Sequence, residues 1–168
     1  GASREVVLSA FEGMQGKGGR GRIRTHSIVT YCRHAEGAAM LKTGILNPAI
    51  NSLLSRVRHT NLLVLADRGF PFWPQIETVD ISLVDDLPTV LQALAAIRPN
   101  FVLGKAWMAE EFLKCNTEEV RQQFAAGLQG IPVTYERHVD FKKRVPQAIG
   151  LIRTGDTVQY ANMILESA

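Results

Sequence analysis

Cysteine is scarce in this chain, with Cys32 and Cys115 the only two in 168 residues. They form no CxxC pair and no metal-ligand spacing, which argues against a disulfide-stapled scaffold and for reduced thiols in a cytoplasmic protein. No apolar run approaches the roughly 18 residues that span a bilayer, so no membrane partner is expected. No secretory signal is visible. Short HxH or HxxxH pairs, the usual helical and strand seats for zinc, are missing too. Nor does any serine or cysteine stand in a nucleophile context, and no internal repeat is present.

Surplus charge is also absent from most of the chain. Residues 1–40 hold six basic and three acidic residues, and subtracting these from the totals of 19 and 16 leaves 13 of each in 41–168. The pI of 9.1 therefore reports on the amino-terminal stretch and gives no ground for expecting the rest of the chain to bind nucleic acid. That stretch contains GMQGKGGRGR, a basic, glycine-rich composition with little to bury. Gly16 to Gly21 formally match GxGxxG, but RIRTHS is a poor opening for an apolar helix, so the dinucleotide context fails. A phosphate-binding P-loop fails as well, because Lys17 is followed by Gly18. A short strand is expected at Ile28–Tyr31. Met40 is a candidate alternative start, which makes residues 1–40 an N-terminal extension ahead of a domain over 41–168, and Gly1 in place of Met fits processing or a cleaved tag.

What the chain does have is centred on Val57 to Pro74, VRHTNLLVLADRGFPFWP. The unbroken apolar run Leu62 to Ala66 predicts a strand buried on both faces. Asp67 closes it, and Gly69, Pro71 and Pro74 turn the chain into a loop. In open α/β sheets ligands lie outside the carboxyl ends of strands, which puts Asp67 where chemistry is done. His59, just before the strand, reaches the same crevice only if its loop folds over it. An imidazole and a carboxylate would make a proton-transfer pair near neutral pH. Against this, loop histidines are more often solvated or capping residues than catalysts, and an aspartate after a strand is often a turn residue.

Around this strand, helices and strands alternate, which predicts an α/β fold in a single domain. Asn47-Pro48 caps and opens a helix carrying Ile50, Leu53, Leu54 and Val57. Strands are expected within 76–83, 101–108, 132–135, 148–152 and 161–165. Leu87-Pro88 opens a helix running to Ile97, Asn116 caps another with Glu119 at the capping-box position, and His138 to Lys143 make a short basic helix. His138 and Asp140, with Tyr160 and Asn162 before the last strand, add an imidazole, a carboxylate, a phenol and an amide. Those groups bind hydroxyls and move protons. A zinc site from His59, His138 and Asp67 is conceivable but has no spacing behind it.

Residues 41–168 resemble the D-ribose pyranase and L-fucose mutarotase family. The resemblance runs through KTGILNP at Lys42, His59-Thr60, Asp67-x-Gly69-x-Pro71 and Val79 to Leu83. It continues through Ala109-Glu110-Glu111, HxxFKK from His138 to Lys143, Ile152 to Gly155 and Tyr160 to Leu165. The Tyr-Ala-Asn and HxxFKK pieces favour the ribose branch. The resemblance implies a cofactor-free and metal-free isomerase that interconverts ring forms of a free monosaccharide, β-D-ribopyranose and β-D-ribofuranose first among them. It places the catalytic histidine at His59 and sugar binding at Asp67, His138, Tyr160, Ala161 and Asn162. It also implies a decamer-like ring of identical subunits with the site between them. Where the family reads Gly-His-Thr-Asp this chain has Arg58-His59-Thr60-Asn61, and Arg68 stands where the family tends to be small. A sugar-binding protein without turnover, or an L-fucose-type mutarotase, is the alternative.

Overall fold

A computed structural model describes residues 44–168, all within one compact unit. The expected strand at Ile28–Tyr31, the glycine-rich segment and Cys32 lie outside the described residues. The architecture starts from β1, Leu62–Ala66, the strand predicted from its apolar run. Around it stand β2 (Glu77–Asp80), β3 (Leu103–Ala109), β4 (Val133–Glu136), β5 (Gly150–Arg153) and β6 (Met163–Ser167). They form one sheet in the order β2-β5-β1-β6-β3-β4. β1 pairs in parallel with β5 and antiparallel with β6, and β6 is antiparallel to β3 as well. With β2–β5 and β3–β4 parallel, β6 is the one strand that runs against the other five. Carboxyl ends of β1 to β5 therefore share an edge with the amino end of β6, and the connection from β1 leads to β2 on one side of the sheet while that from β3 leads to β4 on the other. That edge is a topological switch point, the place where open α/β sheets hold ligands.

Burial explains why β1 lacks the alternation of a half-exposed strand. Leu63 and Leu65 point into one core with Leu53 of α1 (Pro48–Leu54), Val90, Leu94 and Ile97 of α2 (Val90–Ile97) and Phe124 of α4 (Glu118–Gly127). Val64 and Ala66 point into the other core, with Phe141 and Val145 at α5 (His138–Arg144), Phe70 and Trp107. A strand covered on both faces needs apolar side chains at every position. Phe141 is fully buried, and its removal from water is worth about 2–3 kcal/mol in holding α5 to the sheet.

Helix starts confirm the first cap and revise the next two. Asn47 accepts from the backbone N–H groups of Ala49 and Ile50, with Pro48 in the first turn as expected. The second helix begins at Val90, two residues past Pro88: Thr89 is its N-cap and forms a reciprocal capping box with Gln92. Before the fourth helix the cap is Thr117 rather than Asn116. Asn116 instead ends α3, Glu110–Cys115, a helix the sequence reading lacks, and its amide donates to the carbonyls of Phe112 and Gln159. This one-residue shift has a simple cause, since both residues are cap formers and only the competing bond to Gln159 separates them.

Candidate functional site

Strand register brings the site residues together. Ala66 lies opposite Arg153 in the parallel β1–β5 pair, and Leu65 lies opposite Met163 in the antiparallel β1–β6 pair. Asp67, Thr154 and Asn162 are the next residues out, so they converge at the switch-point edge. Asp67 and Asn162 then bond reciprocally. The Asp67 N–H donates to Asn162 Oδ1 at 2.8 Å, and Asn162 Nδ2 donates to Asp67 Oδ2 at 2.8 Å. The other Asp67 oxygen accepts from the Gly69 N–H at 2.9 Å. Thr154 seals the base by donating its N–H and its hydroxyl to the Ala66 carbonyl, each at 2.9 Å. Asp156 is buried beneath, accepting from the N–H groups of Val90 and Val158 at 2.8 Å each.

His138, the first residue of α5, arrives from the carboxyl end of β4. Its ring meets that of Tyr160 edge-on with centroids 5.0 Å apart. Tyr160 is held in the left-handed region at φ 56°, a conformation that costs a bulky residue roughly 1–3 kcal/mol and persists where surrounding structure enforces it. Ala161 is fully buried behind it and contributes backbone and packing, with no exposed side chain. Asp67, Asn162, His138 and Tyr160 line a cavity of 380 Å³ that also takes in Arg68, Lys142 and Asp156, with Ala161 outside its lining.

Burial perturbs the two titratable groups facing this cavity in opposite senses. Asp67 is raised above its ordinary 3.8, chiefly by loss of water, with the neighbouring Asp156 adding to the rise and the Asn162 and Gly69 bonds opposing it. His138 is lowered below 6.5, again first by burial and then by the Lys142 ammonium, while Glu111 and Asp67 pull it back up. A carboxyl and an imidazole whose values are pushed toward each other in one cavity are a recognised mark of a functional site. The Nε2 atom of His138 is buried and bonds to no other described residue.

His59 is elsewhere. It is exposed in the turn before β1, at the amino end of that strand, where Thr60 donates to the Ser167 carbonyl. The five residues of β1 alone put roughly 16 Å between that turn and Asp67. The loop does not fold over the crevice, so one chain assembles Asp67, His138, Tyr160, Ala161 and Asn162 without His59. Nor do His59, His138 and Asp67 converge as a zinc site. Among the described residues no cluster of three potential ligands forms, and no helix is long and apolar enough to cross a membrane.

The profile of the RbsD / FucU transport protein family matches residues 40–168. D-ribose pyranase of Geobacillus thermodenitrificans is 37% identical over 128 residues, covering 76% of this chain and 96% of that one. The chain belongs to this family. RbsD of Bacillus subtilis, solved in complex with D-ribose, superposes with a TM-score of 0.72 at 30% identity, covering 77% of this chain and 98% of that one. Fucose mutarotase of Streptococcus pneumoniae, solved with L-fucose, shares the fold at a TM-score of 0.65 and 21% identity, over 76% of this chain and 98% of that one.

Within this RbsD / FucU chain, the two unusual residues beside His59 have local work. The Arg58 guanidinium donates to the carbonyls of Ser55 and Val57, and Asn61 closes the turn by accepting from the Arg58 N–H. Arg68 pairs with Asp85 at the cavity mouth. Lys142 and Asp156 are cavity residues that sequence reading did not single out. Lys142 had a signal, lying four residues after His138 and so on the same helical face. Asp156 repeats the placement of Asp67, an aspartate just past the end of a parallel strand.

Proposed function

We propose that the chain is a cofactor-free sugar pyranase that interconverts ring forms of a free pentose, β-D-ribopyranose and β-D-ribofuranose. The reading rests on one observation above all: a family cavity at the switch-point edge gathers Asp67, His138, Tyr160 and Asn162 around an unpaired imidazole nitrogen. Ring opening needs a base to remove the anomeric hydroxyl proton and an acid to protonate the ring oxygen. The ring opens to the aldehyde, and a different hydroxyl recloses it as the protons return. General acid–base catalysis of this kind supplies about 10²–10⁴-fold. His59 is the principal proton-transfer group, and it reaches the cavity from a neighbouring copy in a closed ring of subunits. Asp67, Tyr160 and Asn162 hold sugar hydroxyls, each bond worth about 1 kcal/mol or more, and Ala161 shapes the wall behind them. The exposed Cys115 thiol suits the reducing cytoplasm, where free ribose is handled.

Relatives carry part of this weight. Homologues are D-ribose pyranases, and the B. subtilis protein was solved holding D-ribose. A second reading, monosaccharide binding without turnover, is favoured by the absence of His59 from the cavity of a single chain. Saturation-transfer NMR on D-ribose and L-fucose separates them. Catalytic amounts of protein are expected to accelerate exchange between ribose ring forms. No acceleration with any pentose or deoxyhexose contradicts the enzyme reading and leaves the binding one.

A further inference from the structure

We propose that Glu111 is a positioning residue of this cavity: its carboxylate grips the backbone N–H of His138 and so sets where the imidazole stands against Tyr160 and Asp67. This rests on the reading of the cavity as the sugar site. Glu111 lies in the first turn of α3, directly after β3, and both its oxygens are within reach of that N–H, Oε2 at 3.0 Å and Oε1 at 3.2 Å. No side chain of α5's own segment caps it, since Arg137 at the N-cap position makes no such bond. The first-turn N–H groups of a helix need outside acceptors, and Glu111 is the outside acceptor for the residue that carries the ring.

A neutral acceptor would satisfy a helix end equally well, so the charge of Glu111 needs its own account. The charged and titratable groups facing the His138 ring are Lys142 on its own helix, Glu111 from α3, Asp67 from the loop after β1 and Tyr160 ahead of β6. Lys142 and burial disfavour the imidazolium, and Glu111 and Asp67 favour it. Asp67 also faces the ligand and is tied to Asn162. Glu111 is the anion that acts on the ring from behind the cavity wall. Its neighbour Glu110 points away and pairs with Lys114 at 3.6 Å.

The test is the NMR titration of the His138 imidazole in wild type, Glu111→Gln and Glu110→Gln, read on ligand-free protein. Glutamine keeps an oxygen for the N–H and loses the charge. The His138 midpoint is expected to fall in Glu111→Gln and to stay put in Glu110→Gln. Glu111→Ala, which loses the grip as well, is expected to slow ribose exchange about 10²-fold, the scale set by a displacement of around an ångström at a reacting centre. An unchanged midpoint in Glu111→Gln overturns the proposal, because a merely structural cap would leave it unmoved. A parent protein inactive on every sugar overturns the sugar-site reading instead, and the midpoint still decides the role of Glu111.

Discussion

Asp67 and His138 show how position decides the role of a side chain. Asp67 carries a carboxylate that burial disfavours, yet its lone pairs are held by Asn162 and Gly69 in a cavity wall. Such a group contributes binding at some expense of stability. Asp67→Ala is therefore expected to weaken sugar affinity by about tenfold or more and to reduce turnover with it, since a charged hydrogen-bond partner is worth about 1.5–3 kcal/mol. His59→Ala, by contrast, is expected to abolish most exchange while leaving affinity near wild type, and NMR line-shape titration with ribose checks both. The pH dependence of folding follows from His138. Its folded value lies below 6.5, so the unfolded chain takes up the proton first and stability declines as pH falls through 6.5 toward the folded value. Thermal melts of wild type and His138→Gln are expected to converge as the pH is lowered from 8 through 6.5 toward the folded value. Parallel curves would show that the imidazole is not held neutral by the fold.

Elements place these residues, and much of that placement was legible. The buried run Leu62 to Ala66, the Asn47-Pro48 helix start and the basic helix at His138 all follow from pattern and cap chemistry. That Asp67 lies at the ligand-holding edge was legible, because a strand end is where α/β sheets hold ligands, and it does line the cavity there. Two kinds of information were not legible. Strand order is a tertiary fact: nothing local says that β6 inserts antiparallel between β1 and β3, yet that insertion lays Asn162 against Asp67. The separation of His59 from Asp67 follows from strand length and was legible; that its loop does not fold back over the crevice is known only from the structure. Gly155 belongs to the same class. A Cβ there would stand 2.2 Å from the Val84 carbonyl oxygen and 2.9 Å from that of Leu87, both backbone atoms. The loop over 84–88 clasps the cavity loop through Asp86, which accepts from the N–H and hydroxyl of Thr157, and through the Gly155 N–H bond to Pro88. Gly155→Ala is expected to destabilise the fold by about 1–3 kcal/mol and to weaken ribose binding, because a backbone neighbour cannot swing aside. Urea unfolding measures the first and the NMR titration the second, and a variant as stable as wild type would show that the clasp is looser than drawn.

For the whole molecule, one chain keeps two edges of the sheet apart. The carboxyl edge bears the cavity proposed to hold the sugar, and the amino edge bears the exposed His59. In a closed assembly of identical copies the amino edge of one copy can complete the cavity of the next, so that activity belongs to the assembly. This is the central claim, and mixing two inactive variants tests it most directly. His59→Ala retains an intact cavity and Asp67→Ala retains an intact His59. Each alone is expected to exchange ribose forms at a small fraction of the wild-type rate. After subunit exchange in an equal mixture, saturation-transfer NMR is expected to recover about a quarter of the wild-type rate, the share of two-copy sites left intact by random assortment. A mixture no faster than the average of its two components would contradict the shared site and the role of His59 within it.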